Sequence, residues 1–153
     1  MIQAKALALK LSEEGLLEQA LFGGATKLKS EHRPQNIVRF YEKALKAQRS
    51  ILNLEKDALD PFRALEYEFS ERLCSTQIKF FIGLHYANER NFKEALLVLQ
   101  RVGAEVEATV EFAQKSKLHA QRNVKRDIKE LLEDGTLKSL PALLCKCHAR
   151  VLL

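Results

Sequence analysis

Apolar side chains recur every three or four residues along most of this sequence, and no other property limits its possible folds so strongly. This interval matches the 3.6-residue turn of an α-helix, so the apolar side chains of each segment share one face. We find no run in which apolar and polar residues alternate as they do in a β-strand. The chain has only 6 Gly and 3 Pro, whereas β-rich folds need more turns. The sequence therefore predicts an all-α protein.

Turn and cap residues divide the periodic pattern into segments. Asp60 and Pro61 are typical of a helix start, because aspartate caps free N–H groups and proline fits the first helical turn. Asp134-Gly135 is typical of a helix stop, and the phase break over residues 115–123 predicts either a kink or a short connector. The predicted helices cover approximately residues 2–21 as two short helices, 34–54, 61–86, 92–113, 124–132 and 140–153.

Length and hydropathy predict the general class of the protein. We expect one helical-repeat domain over residues 1–153, and since the last predicted helix is still continuing at Leu153, a fragment of a longer protein. No apolar run approaches the roughly eighteen residues of a membrane span, and Lys5 and Lys10 interrupt the apolar stretch after Met1. We therefore expect no membrane insertion and a cytosolic or nuclear location. The odd number of cysteines, three, favours reduced thiols over a disulfide framework.

Residues 79–99 match the helix-turn-helix core of a tetratricopeptide repeat at most of its positions. Small residues are expected where two antiparallel helices touch, and larger apolar residues fill the space around that contact. Lys79, Val102 and Glu107 depart from the repeat pattern. We predict a tetratricopeptide-like array of antiparallel helical hairpins, and the alternative is an irregular helical bundle with one accidental match. The predicted repeat-packing residues are Ile82, Gly83, Tyr86, Phe92, Ala95 and Leu99.

No arrangement of residues predicts catalysis, a cofactor or a small-molecule substrate. The four histidines are scattered over different segments, and none has the spacing that builds a zinc site on a helix. Cys145-Lys146-Cys147-His148 contains zinc-ligand chemistry, but residues two apart on a helix point in nearly opposite directions. Gly23-Gly24 lacks the preceding strand and the lysine of a phosphate-binding loop. We therefore expect a protein that is not an enzyme and has no metal or cofactor.

Positive charge is concentrated in residues 115–129, called here the basic segment, which contains six cations and one acid, Asp127. Its charge of +5 equals the net charge of the whole chain, and such a field favours a nearby phosphate backbone through counterion release. A solvated helix face, RNA contact and contact with an acidic protein remain as alternatives. The candidate contact residues are Lys115, Lys117, Arg122, Lys125, Arg126 and Lys129. A smaller basic ridge comprises Arg39, Lys43 and Lys46.

Three stretches, taken in order, resemble the family of the 68-kDa subunit of the eukaryotic signal recognition particle. The first, Arg33–Glu42, is similar to that family's Arg-Pro-Gln/Glu-Asp motif, which continues with two aliphatic residues and Arg-Leu-Tyr-Asp. The second, residues 80–102, resembles the family's degenerate helical hairpin. The third, Leu137–Pro141, is similar to its Ser-Leu-Lys-Asp-Leu-Pro segment. Asn36 and Lys79 replace the family's usual residues, which suggests a distant member.

The resemblance spans residues 33–153 and implies a cytosolic ribonucleoprotein subunit, with a possible nucleolar stage during assembly and without catalytic activity. It implies the 72-kDa subunit and the RNA of the particle as partners, and the ribosome as a further contact. The implied process is co-translational targeting of secretory and membrane proteins to the endoplasmic reticulum. In that family the main RNA-binding domain lies towards the amino terminus, and the segment bound by the 72-kDa partner lies near the carboxyl end. No known contact residue therefore transfers to this chain.

We therefore interpret the chain as a scaffold of the signal recognition particle, with the basic segment as its contact with RNA or an acidic partner. One rival interpretation is a generic tetratricopeptide-like adaptor that binds peptides in a concave groove. Salt-dependent RNA affinity distinguishes the two, since an adaptor has no reason to show it. A self-associating helix bundle is the second rival, and its oligomeric state would identify it.

Overall fold

Helices account for nearly all of the chain that the computed structural model describes, which is residues 34–55, 60–134 and 136–152. The α-helices in chain order are α1 (Pro34–Glu55), α2 (Pro61–Asn88), α3 (Phe92–Lys115), α4 (Arg122–Lys129) and α5 (Leu140–Leu152). No strand occurs within these described ranges, so the all-α prediction is confirmed. The helices predicted over residues 2–21 and the Gly23-Gly24 stop lie outside the described residues.

The predicted boundaries of α2 are confirmed at both ends. The Asp60 carboxylate accepts a hydrogen bond from the Arg63 backbone N–H at 2.8 Å, and Pro61 occupies the first helical position. At the other end, Arg90 adopts a left-handed conformation with a φ of 63°, which turns the chain before α3 begins. The Asn91 N–H donates to the Tyr86 carbonyl at 2.9 Å and closes this turn. A short, hydrogen-bonded connection therefore holds α2 and α3 together as a hairpin.

The phase break after α3 is a connector, not a kink. Helix α3 ends at Lys115, a 3₁₀ turn covers Leu118–Ala120, and α4 begins two residues later. Lys117 has a φ of 64°, and this left-handed residue redirects the chain between α3 and the 3₁₀ turn. After α4, a π-helical segment (Glu130–Asp134) and a 3₁₀ segment (Thr136–Ser139) lead into α5.

Helices α1, α2 and α3 pack side by side in antiparallel order. The Cys74 thiol of α2 donates to the Tyr41 carbonyl of α1 at 3.2 Å, and the Gln48 amide donates to the Ser70 hydroxyl at 2.8 Å. Residue numbers thus fall along α2 as they rise along α1. Between α2 and α3 the closest approach is at Gly83, where an added Cβ would lie 2.7 Å from Leu99 Cδ2.

Helix α5 covers the side of α3 next to the one that packs on α2. Leu140 at its start approaches Gly103 of α3, and Arg150 near its end lies with its guanidinium 6.0 Å from the Phe92 ring centroid. α5 therefore runs antiparallel to α3. The buried side chains of these four helices and of the segment before α5 form the main core. Its largest fully buried members are Ile37, Phe80, Phe81, Leu84, Leu99, Leu143 and Val102.

A second, smaller core lies under the connector. It consists of Phe69 from α2, Ala113 from α3, Leu118 from the 3₁₀ turn and Val124 from α4, all at most 2% exposed. This cluster attaches α4 to the hairpin of α2 and α3. Because α4 has only eight residues, such a helix depends on tertiary packing for its stability.

One core prediction is wrong. Helical spacing places Ile37, Tyr41 and Ile51 in one apolar stripe of α1 and predicts that all three are buried. Ile37 and Tyr41 are buried, but the Ile51 side chain is 43% exposed. Among the described elements, α1 packs chiefly against α2, which covers only one side of it. Ile51 lies near the end of α1, on the flank beside the face that packs on α2.

Candidate functional site

All six candidate contact residues of the basic segment are exposed. Lys115 is the last residue of α3, Lys117 is the left-handed residue of the connector, and the other four lie on α4. The structure therefore distributes the six cations over two helices and the turn between them.

Helix α4 carries four of the cations on a single face. Each residue of an α-helix advances about 100° around the axis, so Arg122, Lys125, Arg126 and Lys129 fall within an arc of about 100°. Val124, which is 2% exposed, lies on the opposite side and enters the second core. The four cations share one solvent-facing surface, which we call the α4 basic face. Helical periodicity applied to residues 122–129 would have predicted this arrangement from the sequence.

The α4 basic face contains a like-charge repulsion that the single acid of α4 offsets only in part. Arg122 and Arg126 are four residues apart, as are Lys125 and Lys129, and each such like-charge pair destabilises a helix by about 0.2–0.5 kcal/mol. The only acid of α4, Asp127, has its carboxylate 3.9 Å from Arg126 Nε. No carboxylate of the described residues forms an ion pair with Arg122, Lys125 or Lys129. A bound polyanion would relieve this repulsion.

Lys115 is less available than the sequence suggested. Its ammonium lies 2.8 Å from the Glu111 carboxylate, one helical turn earlier on α3, and both side chains are largely exposed. The hydrogen bond from Lys115 and its positive charge hold the pKa of Glu111 below its usual range. Glu111 therefore neutralises one of the six candidate cations. The i, i+4 spacing of the pair is the signal that sequence reasoning missed.

The predicted repeat-packing residues divide into two groups. Gly83, Ala95 and Leu99 are fully buried at the contact of α2 and α3, where Leu99 and Val98 fill the space in front of Gly83. Ile82, Tyr86 and Phe92 are half-buried and pack against the main core. All six positions thus contribute to the hairpin.

A polar groove of 520 Å³ lies between α2 and α3, on the side away from the main core. The charged side chains that line it form ion pairs with one another: Lys79 binds Glu105, and Arg72 binds Glu68 at 3.2 Å. The Arg72 guanidinium also lies 4.5 Å from the centroid of the Phe112 ring. The third carboxylate of the lining, Glu71, pairs with Arg49 at 3.1 Å, so the groove has no strong preference for either sign of charge.

The three cysteines differ in exposure, and all are free thiols. Cys145 is exposed, whereas Cys147, two residues later on α5, is buried in the main core, so the two thiols face different environments. Burial raises the pKa of Cys147 and raises that of Cys74 to about 11. A neutral thiol is neither a nucleophile nor a metal ligand. Within the described ranges, no three His, Cys, Asp or Glu side chains are placed to hold a metal ion.

None of the described helices is both long and apolar enough to cross a membrane. Comparison of the chain with protein-family models, with curated proteins and with solved structures gives no match.

Proposed function

We propose that this chain is a non-catalytic scaffold of the signal recognition particle that binds the particle's RNA through the basic segment. The resemblance of residues 33–153 to the 68-kDa subunit family suggests the particle, the 72-kDa subunit as protein partner, the ribosome as a further contact and a cytoplasmic location. The α4 basic face is the observation that carries the RNA contact. In this proposal the chain provides a rigid helical support and holds these cations in a fixed arrangement.

The chemistry of the α4 basic face favours a phosphate backbone over an acidic protein. Protein interfaces obtain most of their binding energy from buried aromatic and apolar anchors and are depleted in lysine. Within α4, Arg122, Lys125, Arg126 and Lys129 have no exposed aromatic or large apolar neighbour on this face, and the nearest exposed leucine, Leu132, follows in the π-helical segment. Phosphate binding needs only cations at suitable spacing, because the released counterions supply the free energy. The same lack of aromatic residues speaks against stacking of unpaired bases.

The α2–α3 hairpin supports a tetratricopeptide-like array as the finer fold. Gly83 allows the two helices to approach closely, as the small residues of such repeats do. Helices α1 and α5 flank this hairpin in the way that neighbouring repeats would. A helical array of this kind presents extended surfaces on both sides, which suits a subunit that joins RNA and protein.

The test is a titration of the full chain with the particle's RNA, alone and with the 72-kDa subunit, at two salt concentrations. The variant Lys125→Glu, Arg126→Glu, Lys129→Glu reverses the α4 basic face. The matched control, Arg39→Glu, Lys43→Glu, Lys46→Glu, makes the same change of net charge on α1 and is compared in the titration with RNA alone. We expect binding that weakens with salt and is lost in the α4 variant but kept in the control, because each phosphate contact adds about 0.7–0.9 to the salt slope. If both variants lost the same amount of RNA affinity, the binding would reflect only nonspecific attraction to the net positive charge.

A generic peptide-binding adaptor is the second candidate function, and the polar groove between α2 and α3 favours it. The small residues Ser75 and Ala108 leave room there for a peptide, which would exchange its own polar groups with the Lys79–Glu105 pair. An adaptor of this kind would bind peptide with no dependence on the α4 basic face. RNA binding that is absent at low salt, with the helical fold intact, would leave the adaptor as the better account.

A further inference from the structure

Helix α1 carries a second apolar stripe besides the one that packs on α2. Phe40, Ala44, Ala47, Ile51 and Leu54 follow one another at alternating intervals of four and three residues. This is the spacing of a coiled-coil seam, and it keeps all five side chains on one flank of the helix. The stripe, which we call the α1 seam, extends over about 21 Å at 1.5 Å per residue.

The α1 seam becomes more exposed towards the end of the helix. Phe40 and Ala44 are half-buried and pack against the main core. Ala47 is exposed, Ile51 is 43% exposed, and Leu54 is 87% exposed. A single exposed leucine needs no explanation, but a continuous stripe at coiled-coil spacing indicates a surface for another helix.

The basic ridge, Arg39, Lys43 and Lys46, runs directly beside the α1 seam. Each of these residues immediately precedes a seam residue, so the ridge repeats the same spacing on the flank that faces away from α2. All three side chains are exposed, and no carboxylate of the described residues forms an ion pair with them. The Lys43 ammonium lies 5.8 Å from the centroid of the Phe40 ring, at the boundary between ridge and seam. An apolar stripe and a cationic stripe are thus adjacent and parallel.

We propose that the α1 seam and the basic ridge together bind one amphipathic helix of a partner protein, whose apolar stripe is flanked by acidic residues. Apolar contacts with Ala47, Ile51 and Leu54 would provide the binding energy, and charges flanking a helix seam select the partner. A phosphate backbone would gain nothing from the exposed leucine and isoleucine. This site is separate from the α4 basic face and does not depend on the proposed RNA contact.

A second copy of this chain fits the site poorly. A two-fold symmetric pair places the same patch of both subunits at the interface. With α1 antiparallel to its copy and Ala47 at the centre, the two basic ridges would lie on the same side of the helix pair. Lys46 would then lie almost level with the same residue of the copy, and this like-charge contact costs free energy. An acidic flank on the incoming helix removes this repulsion.

The probe for the test is a fluorescein-labelled amphipathic peptide of about 18 residues, with leucine at the seam positions and glutamate on both flanks. A second peptide replaces each flanking glutamate with lysine and is otherwise identical. Both are titrated with the full chain while fluorescence anisotropy is measured. We expect the glutamate peptide to bind at least about tenfold more tightly than the lysine peptide. The variant Lys43→Glu, Lys46→Glu should reverse this preference.

Variants of the α1 seam complete the test. Ala47→Glu and, separately, Leu54→Glu should weaken binding of the glutamate peptide by about tenfold or more, since each places a like charge on the apolar contact. Leu54 is so exposed that its replacement leaves the fold intact, as circular dichroism can verify. The control is Leu97→Glu, which introduces the same charge at an exposed leucine of α3 and should change nothing. Absence of binding, equal affinity for the two peptides, or indifference to Leu54→Glu would each overturn the proposal.

Discussion

The position that a Cβ would occupy on Gly83 lies 2.7 Å from Cδ2 and 2.9 Å from Cγ of Leu99. Real Cβ atoms essentially never approach other atoms this closely, so a side chain at this position would force Leu99 to shift within the close-packed core. The absence of a side chain at Gly83 therefore fixes how closely α2 and α3 pack. This contact sets the geometry of the hairpin from which the second core and α4 extend.

The first prediction concerns the two helical glycines of the α2–α3–α5 layer. Gly83→Ala should gain about 0.8–1 kcal/mol from the higher helix propensity of alanine. The added methyl group forces Leu99 to shift, and such overpacking costs about 1–3 kcal/mol. We therefore expect the free energy of unfolding to fall by about 1 kcal/mol. Gly103→Ala is the matched control, because its added Cβ meets only Leu140 Cδ2 at 3.9 Å. That variant should gain stability. Urea unfolding would measure the free energies of unfolding of both variants. Equal changes in the two would contradict the close contact between Gly83 and Leu99.

The second prediction concerns Lys117, a lysine with a φ of 64°. A left-handed conformation costs a residue with a side chain about 1–2 kcal/mol relative to glycine. Lys117→Gly should therefore raise the free energy of unfolding by about 1 kcal/mol. Lys117→Ala removes the same charge but keeps the backbone cost, so it should show no such gain. Thermal unfolding of the two variants separates the effect of conformation from that of charge.

The third prediction uses the different environments of the three thiols. Cys145 should react with a disulfide reagent at once in the native protein, whereas Cys74 and Cys147 should react only after unfolding, because they are buried and their pKa values are raised. One fast thiol per chain near pH 8 is the expected stoichiometry. Two or more fast thiols would show that the main core opens readily around Cys74 or Cys147.

Cys74 also predicts a dependence of stability on pH. Its thiol pKa rises from 9.0 to about 11 on folding, so the folded state binds the proton more tightly than the unfolded state. This contribution is complete below about pH 9 and is lost as the pH rises towards 11. The free energy of unfolding, measured with urea, should therefore decrease less between pH 8 and pH 10.5 in Cys74→Ala than in the unchanged protein. An equal loss in both would contradict a raised pKa.

A fifth prediction links Glu111 to the proposed RNA contact. Glu111→Gln removes the carboxylate that pairs with Lys115 and so frees a sixth cation of the basic segment. We expect tighter RNA binding and a salt slope steeper by about 0.7–0.9, the value of one additional phosphate contact. Glu107→Gln changes the net charge equally at an exposed position of α3 and serves as the control. If both variants had the same slope, the effect would come from net charge alone.

Much of the fold could be predicted because its signals are local. The Asp60–Pro61 start of α2 was predicted correctly, and so was the turn before Phe92, since capping and turn formation involve neighbouring residues. The connector after Lys115 was one of two alternatives, because a break in periodicity does not indicate whether the helix bends or ends. The α4 basic face and the α1 seam follow from helical periodicity, but only once the helix boundaries are known.

The amino-acid sequence alone is sufficient to specify the helical class, most helix boundaries and the concentration of positive charge in residues 115–129. Tertiary packing decides which apolar stripe of each helix is covered by another helix and which remains exposed to solvent. It buries Cys147 and leaves Cys145 exposed, places Leu99 in front of Gly83, and leaves Ile51 uncovered. The physical reason is that helix formation depends on residues three and four positions apart, whereas burial depends on which helix faces pair over long separations.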